Sequence, residues 1–171
     1  MRDETKLFLN TWGAYNSGSI GYGWMTPEEA RKFMQENPNR DGGEWFIADI
    51  DNYLGIDTRA AWGSLDYANV SDVINDIEKL EELNESELKL VNALIECYNM
   101  SVDDAIDSKD DYLWFSDRDS WEDFLTEQVE LEAREHDIPS KFLDYFDYSK
   151  YIDNEEYYVT IAANGVVIYD K

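Results

Sequence analysis

Apolar and polar residues alternate along this chain in two rhythms, and the change from one to the other marks its elements. A strand-like run covers Lys6 to Trp12, the turn-rich stretch Gly13-Ala14-Tyr15-Asn16-Ser17-Gly18-Ser19 follows, and Ile20 to Met25 reads as a second strand. Thr26-Pro27-Glu28-Glu29 predicts a helix start, because threonine caps, proline suits the first helical position and Glu29 completes a capping box. That helix is expected to reach about Asn37 and to stop before Pro38. After the Gly42-Gly43 turn, Glu44 to Ile50 reads as a third strand.

The rhythm then becomes helical. Ser71 is the expected cap of a helix carrying Val73, Ile74, Ile77 and Leu80 on one face. Asn84-Glu85-Ser86-Glu87 forms a second capping box before Leu88, Val91, Leu94, Ile95 and Tyr98, and Ser101 to Asp107 adds a short helix. Towards the C-terminus, Tyr112 to Phe115 reads as an aromatic strand. Asp119-Ser120 is the expected cap of a long helix from Trp121 to about His136, and Pro139 opens a short one ending near Tyr145. Tyr157 to Ala162 and Val166 to Tyr169 flank Asn164-Gly165, a hairpin turn pair. The expected fold is α+β: an elongated chain of three small modules with antiparallel strands. They are an N-terminal α+β module at 1–62, a helical module at 63–108 and a C-terminal α+β module at 109–171.

Composition narrows the class. The 171 residues are enough to bury a core, and 43% hydrophobic content is too high for a disordered acidic tail. Against 14 basic side chains stand 39 acidic ones, a formal charge of −25. A field of that sign repels phosphate, which excludes a nucleic-acid binder working through basic patches, and it equally excludes a basic membrane-surface helix. The single cysteine, Cys97, forms no internal disulfide. With no signal-peptide core and no run of about 18 apolar residues, the expected compartment is the cytoplasm.

The acid is unevenly placed. Residues 1–60 carry a net charge of −4, residues 61–108 carry −10 and residues 109–171 carry −11. Asp72, Asp76, Glu78, Glu81, Glu82, Glu85 and Glu87 fall on the middle helices away from the apolar stripes, followed by Asp103, Asp104, Asp107, Asp110 and Asp111. Asp117, Asp119, Glu122, Asp123, Glu127, Glu130 and Glu135 do the same around the long C-terminal helix. Like charges three or four residues apart on a helix repel by about 0.2–0.5 kcal/mol per pair. A repeated penalty of this kind suggests a collective use of the charge. Duplex DNA carries one charge per roughly 1.7 Å of axis, so −25 matches about 40 Å of it. A surface of this density fits the DNA groove of another protein, with the partner's Lys and Arg neutralising carboxylates in place of phosphates.

Several stretches resemble the ArdA antirestriction proteins. They are Phe8-Leu9-Asn10-Thr11-Trp12-Gly13-Ala14-Tyr15-Asn16-Ser17-Gly18, Gly21-Tyr22-Gly23-Trp24 and Glu44-Trp45-Phe46-Ile47-Ala48-Asp49. Asp119-Ser120-Trp121-Glu122-Asp123, Pro139 to Tyr148 and the Ala163-Asn164-Gly165-Val166 turn continue the likeness in the same order. The resemblance implies a cytoplasmic DNA mimic of mobile elements or phages, a homodimer of three-domain chains. It further implies a partner, the DNA-binding subunits of Type I restriction–modification enzymes, with no nucleic acid and no membrane bound. It places the dimer contact near Tyr112 to Phe124, where Trp114, Phe115 and Trp121 supply apolar anchors.

Catalytic chemistry is sparse. His136 sits where the helix dipole favours a cation, and Cys97 adjoins an apolar stripe, so neither needs a catalytic role. Asp49-Ile50-Asp51 and Asp117-Arg118-Asp119 begin like calcium loops. They lack the glycine at the sixth position (Leu54, Glu122) and the glutamate at the twelfth (Ala60, Gln128). Zinc ligands and a phosphate-cradling GxxxxGK[ST] loop are absent too. The expectation is therefore no catalytic residue, no cofactor and no metal. Two other functions fit the charge: an acidic chaperone for basic proteins, and a glycosidase using carboxylates such as Asp49 and Asp51 beside an aromatic platform. Salt adaptation is a third origin for the acidity.

Overall fold

Leu7 and Leu9, both wholly buried, stand two residues apart on strand β1 (Lys6–Thr11) and set the inner face of a three-stranded antiparallel sheet. Its order is β2-β1-β3, with β2 at Gly23–Met25 and β3 at Trp45–Asp51. Leu9 pairs with Gly23 on one side and Ile47 on the other. Phe8 faces Asp49, so the register shift leaves Ala48 unopposed as a bulge. The computed structural model describes residues 4–170, and the chain divides after Ile106 into two compact units.

In the first unit, the second strand is shorter than its apolar run suggests. Gly21 has φ 116° and a Cβ there would stand 2.9 Å from the Leu9 carbonyl oxygen, so the chain turns before it pairs. The turn-rich stretch after β1 holds a short helix, α1 (Trp12–Asn16), which begins because the Thr11 hydroxyl accepts the Ala14 N–H at 3.2 Å. Helix α2 (Pro27–Glu36) has the expected capping box between Thr26 and Glu29. After α3 (Thr58–Trp62) come α4 (Val70–Glu81), α5 (Glu85–Tyr98) and α6 (Val102–Ser108). Asn84 and Glu87 form the second capping box as anticipated. The cap of α4, however, is Asn69 rather than Ser71: its side chain accepts the N–H groups of Ser71 and Asp72, and Ser71 is already helical. Val73, Ile74, Ile77, Leu80, Val91, Leu94 and Ile95 are buried at 0–1% exposure, whereas Tyr98 at the end of the same stripe is exposed.

In the second unit, β4 (Tyr112–Phe115), β5 (Val159–Ile161) and β6 (Val167–Asp170) form an antiparallel sheet in the order β4-β6-β5. Gly165, at φ 83°, closes the hairpin by donating its N–H to the Ala162 carbonyl at 2.9 Å. A 3-10 turn at Glu156–Tyr158 delays the start of β5. The long helix α7 (Arg118–Glu135) is capped by Asp117, not by Asp119-Ser120: the Asp117 carboxylate accepts the Ser120 N–H at 2.8 Å. Trp121 and Leu125 from α7 and Val167 from β6 make the core. Around it pack Phe115, Phe124 and Val159, with Tyr151 and Ile152 from α8 (Tyr148–Glu155). Among the described residues, no helix is long and apolar enough to cross a membrane.

Glu155 on α8 also ties this sheet to its covering helix. The Tyr169 hydroxyl donates to its carboxylate at 3.0 Å, and burial, reinforced by that carboxylate, pushes the phenol up to about 12. The bond requires the phenolic proton, so its stabilisation is complete below pH 10 and is lost as pH rises towards 12. Tyr169→Phe is expected to lower stability by about 1–2 kcal/mol at pH 8. In urea unfolding, the gap between the two proteins should close between pH 10 and pH 12; a gap independent of pH would show that the hydrogen bond is not its source.

Candidate functional site

The long helix α7 carries the clearest ordered array of charge. Trp121 and Leu125 turn one side of it into the core, and Asp119, Asp123, Glu127 and Glu130 fall on the opposite side at steps of four, four and three residues. All four are exposed and, among the described residues, their carboxylates make no hydrogen bond or ion pair. At 1.5 Å per residue the row spans about 16 Å. Its charges are therefore spaced about 5.5 Å apart, against 3.4 Å of axis per phosphate on one DNA strand. Glu122 lies off this row: it is half-buried and bound at 2.6 Å to Arg118, which also pairs with Glu156. Glu135 is exposed at the helix end, and Asp117 is spent on the cap. The hydroxyl and N–H of Ser120, helped by the Ser116 hydroxyl, hold the Asp117 carboxyl below its usual range.

In the first unit, several of the anticipated surface acids have structural partners instead. Asp76 accepts the Trp62 indole N–H at 2.9 Å, Glu78 pairs with Arg31 at 2.7 Å, and Glu81 accepts the Thr5 N–H at 3.2 Å. Glu85 pairs with Lys89, Glu87 serves the capping box, Asp103 pairs with Lys79, and Asp104 accepts the Ser101 hydroxyl. Desolvation raises the Asp76 carboxyl, the Trp62 bond opposes this, and the Asp103 charge adds to the rise. Asp72 and Glu82 are exposed without a side-chain partner among the described residues. In the second unit Asp107 and Asp111 are exposed in the same way, and Asp110 lies beside Lys109 at 3.7 Å.

The three aromatic residues anticipated at a dimer contact are placed differently from one another. Trp121 is 1% exposed inside its own unit, so packing alone accounts for it. Trp114 and Phe115 on β4 are half-buried, and Phe115 lies against Phe124 at 5.1 Å between ring centres. His136 is the C-cap residue of α7, so helix capping accounts for its place. Burial and the neighbouring Glu96 push the Cys97 thiol up, the opposite of an activated nucleophile. Among the described residues, no three His, Cys, Asp or Glu side chains converge as a metal site. Asp49 and Asp51 lie exposed on β3, and Asp117-Arg118-Asp119 forms a helix start, so neither segment is a loop that could wrap a cation.

Outside the acidic set, the first unit has an aromatic cavity of about 330 Å³ beside α1, lined by Trp12, Tyr15 and Phe46 with Asn10 and Asp66. The sequence pattern pointed to a turn at this place. Its signal was the spacing of Trp12 and Tyr15, which share a face once α1 forms. A family model of antirestriction proteins (ArdA) matches residues 7–167 of the chain. No curated protein matches it.

Proposed function

The chain belongs to the ArdA antirestriction protein family, whose function is antirestriction, and from that premise we propose that it acts as a DNA mimic. In this reading it occupies the DNA-binding site of a Type I restriction–modification enzyme as a homodimer and catalyses no reaction of its own. The observation that carries the reading is the row Asp119, Asp123, Glu127 and Glu130. Four carboxylates stand in water at helical spacing, opposite the core, without the lysines that would normally neutralise such a face. One row is sparser than a phosphate strand, so the mimicry would draw on further exposed acids, among them Asp72, Glu82, Asp107 and Asp111. For the homodimer, the half-buried Trp114 and Phe115 are the candidate contacts.

The mechanism follows from electrostatics. Basic groups lining a DNA groove attract the acidic face at long range, and each carboxylate seated beside a Lys or Arg replaces a phosphate. The test is competition between the chain and labelled DNA for a purified Type I enzyme. The chain is expected to displace the DNA, with its apparent affinity falling at least tenfold between 50 and 200 mM salt. Inhibition that leaves the DNA bound, or that ignores salt, would overturn the reading.

A further inference from the structure

Resting on that reading, we propose that the aromatic cavity beside α1 is a receptor for one arginine side chain of the partner protein. The Thr11 cap starts α1 so that Trp12 and Tyr15 stand together, their rings edge to face at 5.8 Å. Trp12 stacks on Phe46 at 4.5 Å and 25°, and Tyr67 lies near it at 6.2 Å. Phe46 is buried, whereas Tyr15 is 58% and Tyr67 84% exposed, so aromatic surface remains open to an incoming group. Asp66 lines the same cavity, and among the described residues its carboxylate makes no hydrogen bond or ion pair. Asn10, 2% exposed, also lines it, and its carbonyl oxygen accepts the Thr11 N–H at 2.8 Å.

The chemistry of this wall selects a flat cation. Electron-rich ring faces attract positive charge, and a guanidinium also stacks on them because it is planar and weakly hydrated. The Asp66 carboxylate supplies the opposite charge, and the chain's −25 field favours a cation over any neutral or anionic occupant. A DNA groove presents arginines, so a guest of this class is what the partner of a DNA mimic brings. The cavity would thus add one specific anchor to an otherwise diffuse attraction, which is how a few buried contacts come to dominate an interface.

The probe is Nα-acetylarginine amide titrated into the full chain, with the assigned Trp12 indole and Tyr15 ring followed by NMR. Saturable shifts with a Kd of about 1 mM are expected, a value ordinary for a single side chain. Tyr15→Ala and Asp66→Asn should each weaken that binding about fivefold, and both residues are exposed enough for the fold to survive. Nα-acetylleucine amide should leave the shifts unchanged. Equal shifts with the leucine probe would make this a generic apolar hollow and overturn the proposal. Unsaturated shifts, or no effect of Asp66→Asn, would also overturn it, as the mark of diffuse attraction to an acidic surface. Against the restriction enzyme, Tyr15→Ala should lose affinity about fivefold and keep the steep salt dependence. Unchanged affinity with that dependence intact would sink the arginine receptor and leave mimicry standing, whereas an enzyme that never binds the unmodified chain would sink mimicry itself.

Discussion

Converting Asp119, Asp123, Glu127 and Glu130 together to their amides is expected to weaken binding to a Type I enzyme about 5- to 700-fold and, at the same time, to stabilise the protein slightly. An exposed charge pair contributes about 0.2–1 kcal/mol, so four lost together amount to about 1–4 kcal/mol, and 1.4 kcal/mol is tenfold. The opposite sign for stability comes from the helix itself. The neighbouring pairs along α7 are like charges at steps of four, four and three residues, each costing about 0.2–0.5 kcal/mol. Relieving three of them should add about 0.6–1.5 kcal/mol, offset by the about 0.3–1 kcal/mol lost when Asp119 in the first turn no longer meets the helix N-terminus with a negative charge, so the net gain is small. Glu127→Gln alone should change binding by less than about fivefold. The measurements are thermal unfolding and the DNA competition assay on the same preparations. Weaker binding accompanied by weaker folding would make the row a structural feature, and abolition by one substitution alone would point to a discrete site.

Trp121→Ala is expected to cost about 3–5 kcal/mol, a large share of the 5–15 kcal/mol that holds a typical domain together. Trp121 is the largest fully buried side chain of the protein and touches both α7 and the sheet through Leu125 and Val167. Its indole nitrogen is buried without a hydrogen-bond partner among the described residues, an arrangement that penalises the wild type by about 1–3 kcal/mol. Trp121→Phe removes that unpaired N–H while keeping an aromatic ring, so it should lose less than half as much as the alanine variant. Urea unfolding followed by a probe in residues 107–170 would show this, since two units need not unfold as one. If Trp121→Ala instead unfolded like the wild type but failed to self-associate, the indole would belong to an interface rather than to the core.

Local chemistry explains why much of this protein could be read along its chain. A capping box joins a side chain to a backbone N–H three residues away, so Thr26 with Glu29 and Asn84 with Glu87 announce their helices wherever the rest of the chain goes. The strand Tyr112–Phe115, the Asn164-Gly165 turn and the buried faces of α4 and α5 were likewise visible as short-range pattern. So was the outward placement of Asp123, Glu127 and Glu130 on α7, since helical periodicity alone sets them opposite Trp121; Asp119 joins that row only because Asp117 takes the cap.

Folding in three dimensions settled the rest. Where two capping residues stood close together, Asn69 before Ser71 and Asp117 before Asp119, the winner was the one still extended as the helix begins, a matter of backbone path. Helix α8 gains its stability by laying Tyr151 and Ile152 against the Trp121 core, which no propensity within eight residues reveals. Likewise Asp76, Glu78 and Glu81 look like free surface charge until Trp62, Arg31 and Thr5 arrive from 14, 47 and 76 residues away. Spacing along a chain decides which way a carboxylate faces; only the assembled fold decides whether a distant donor is there to meet it.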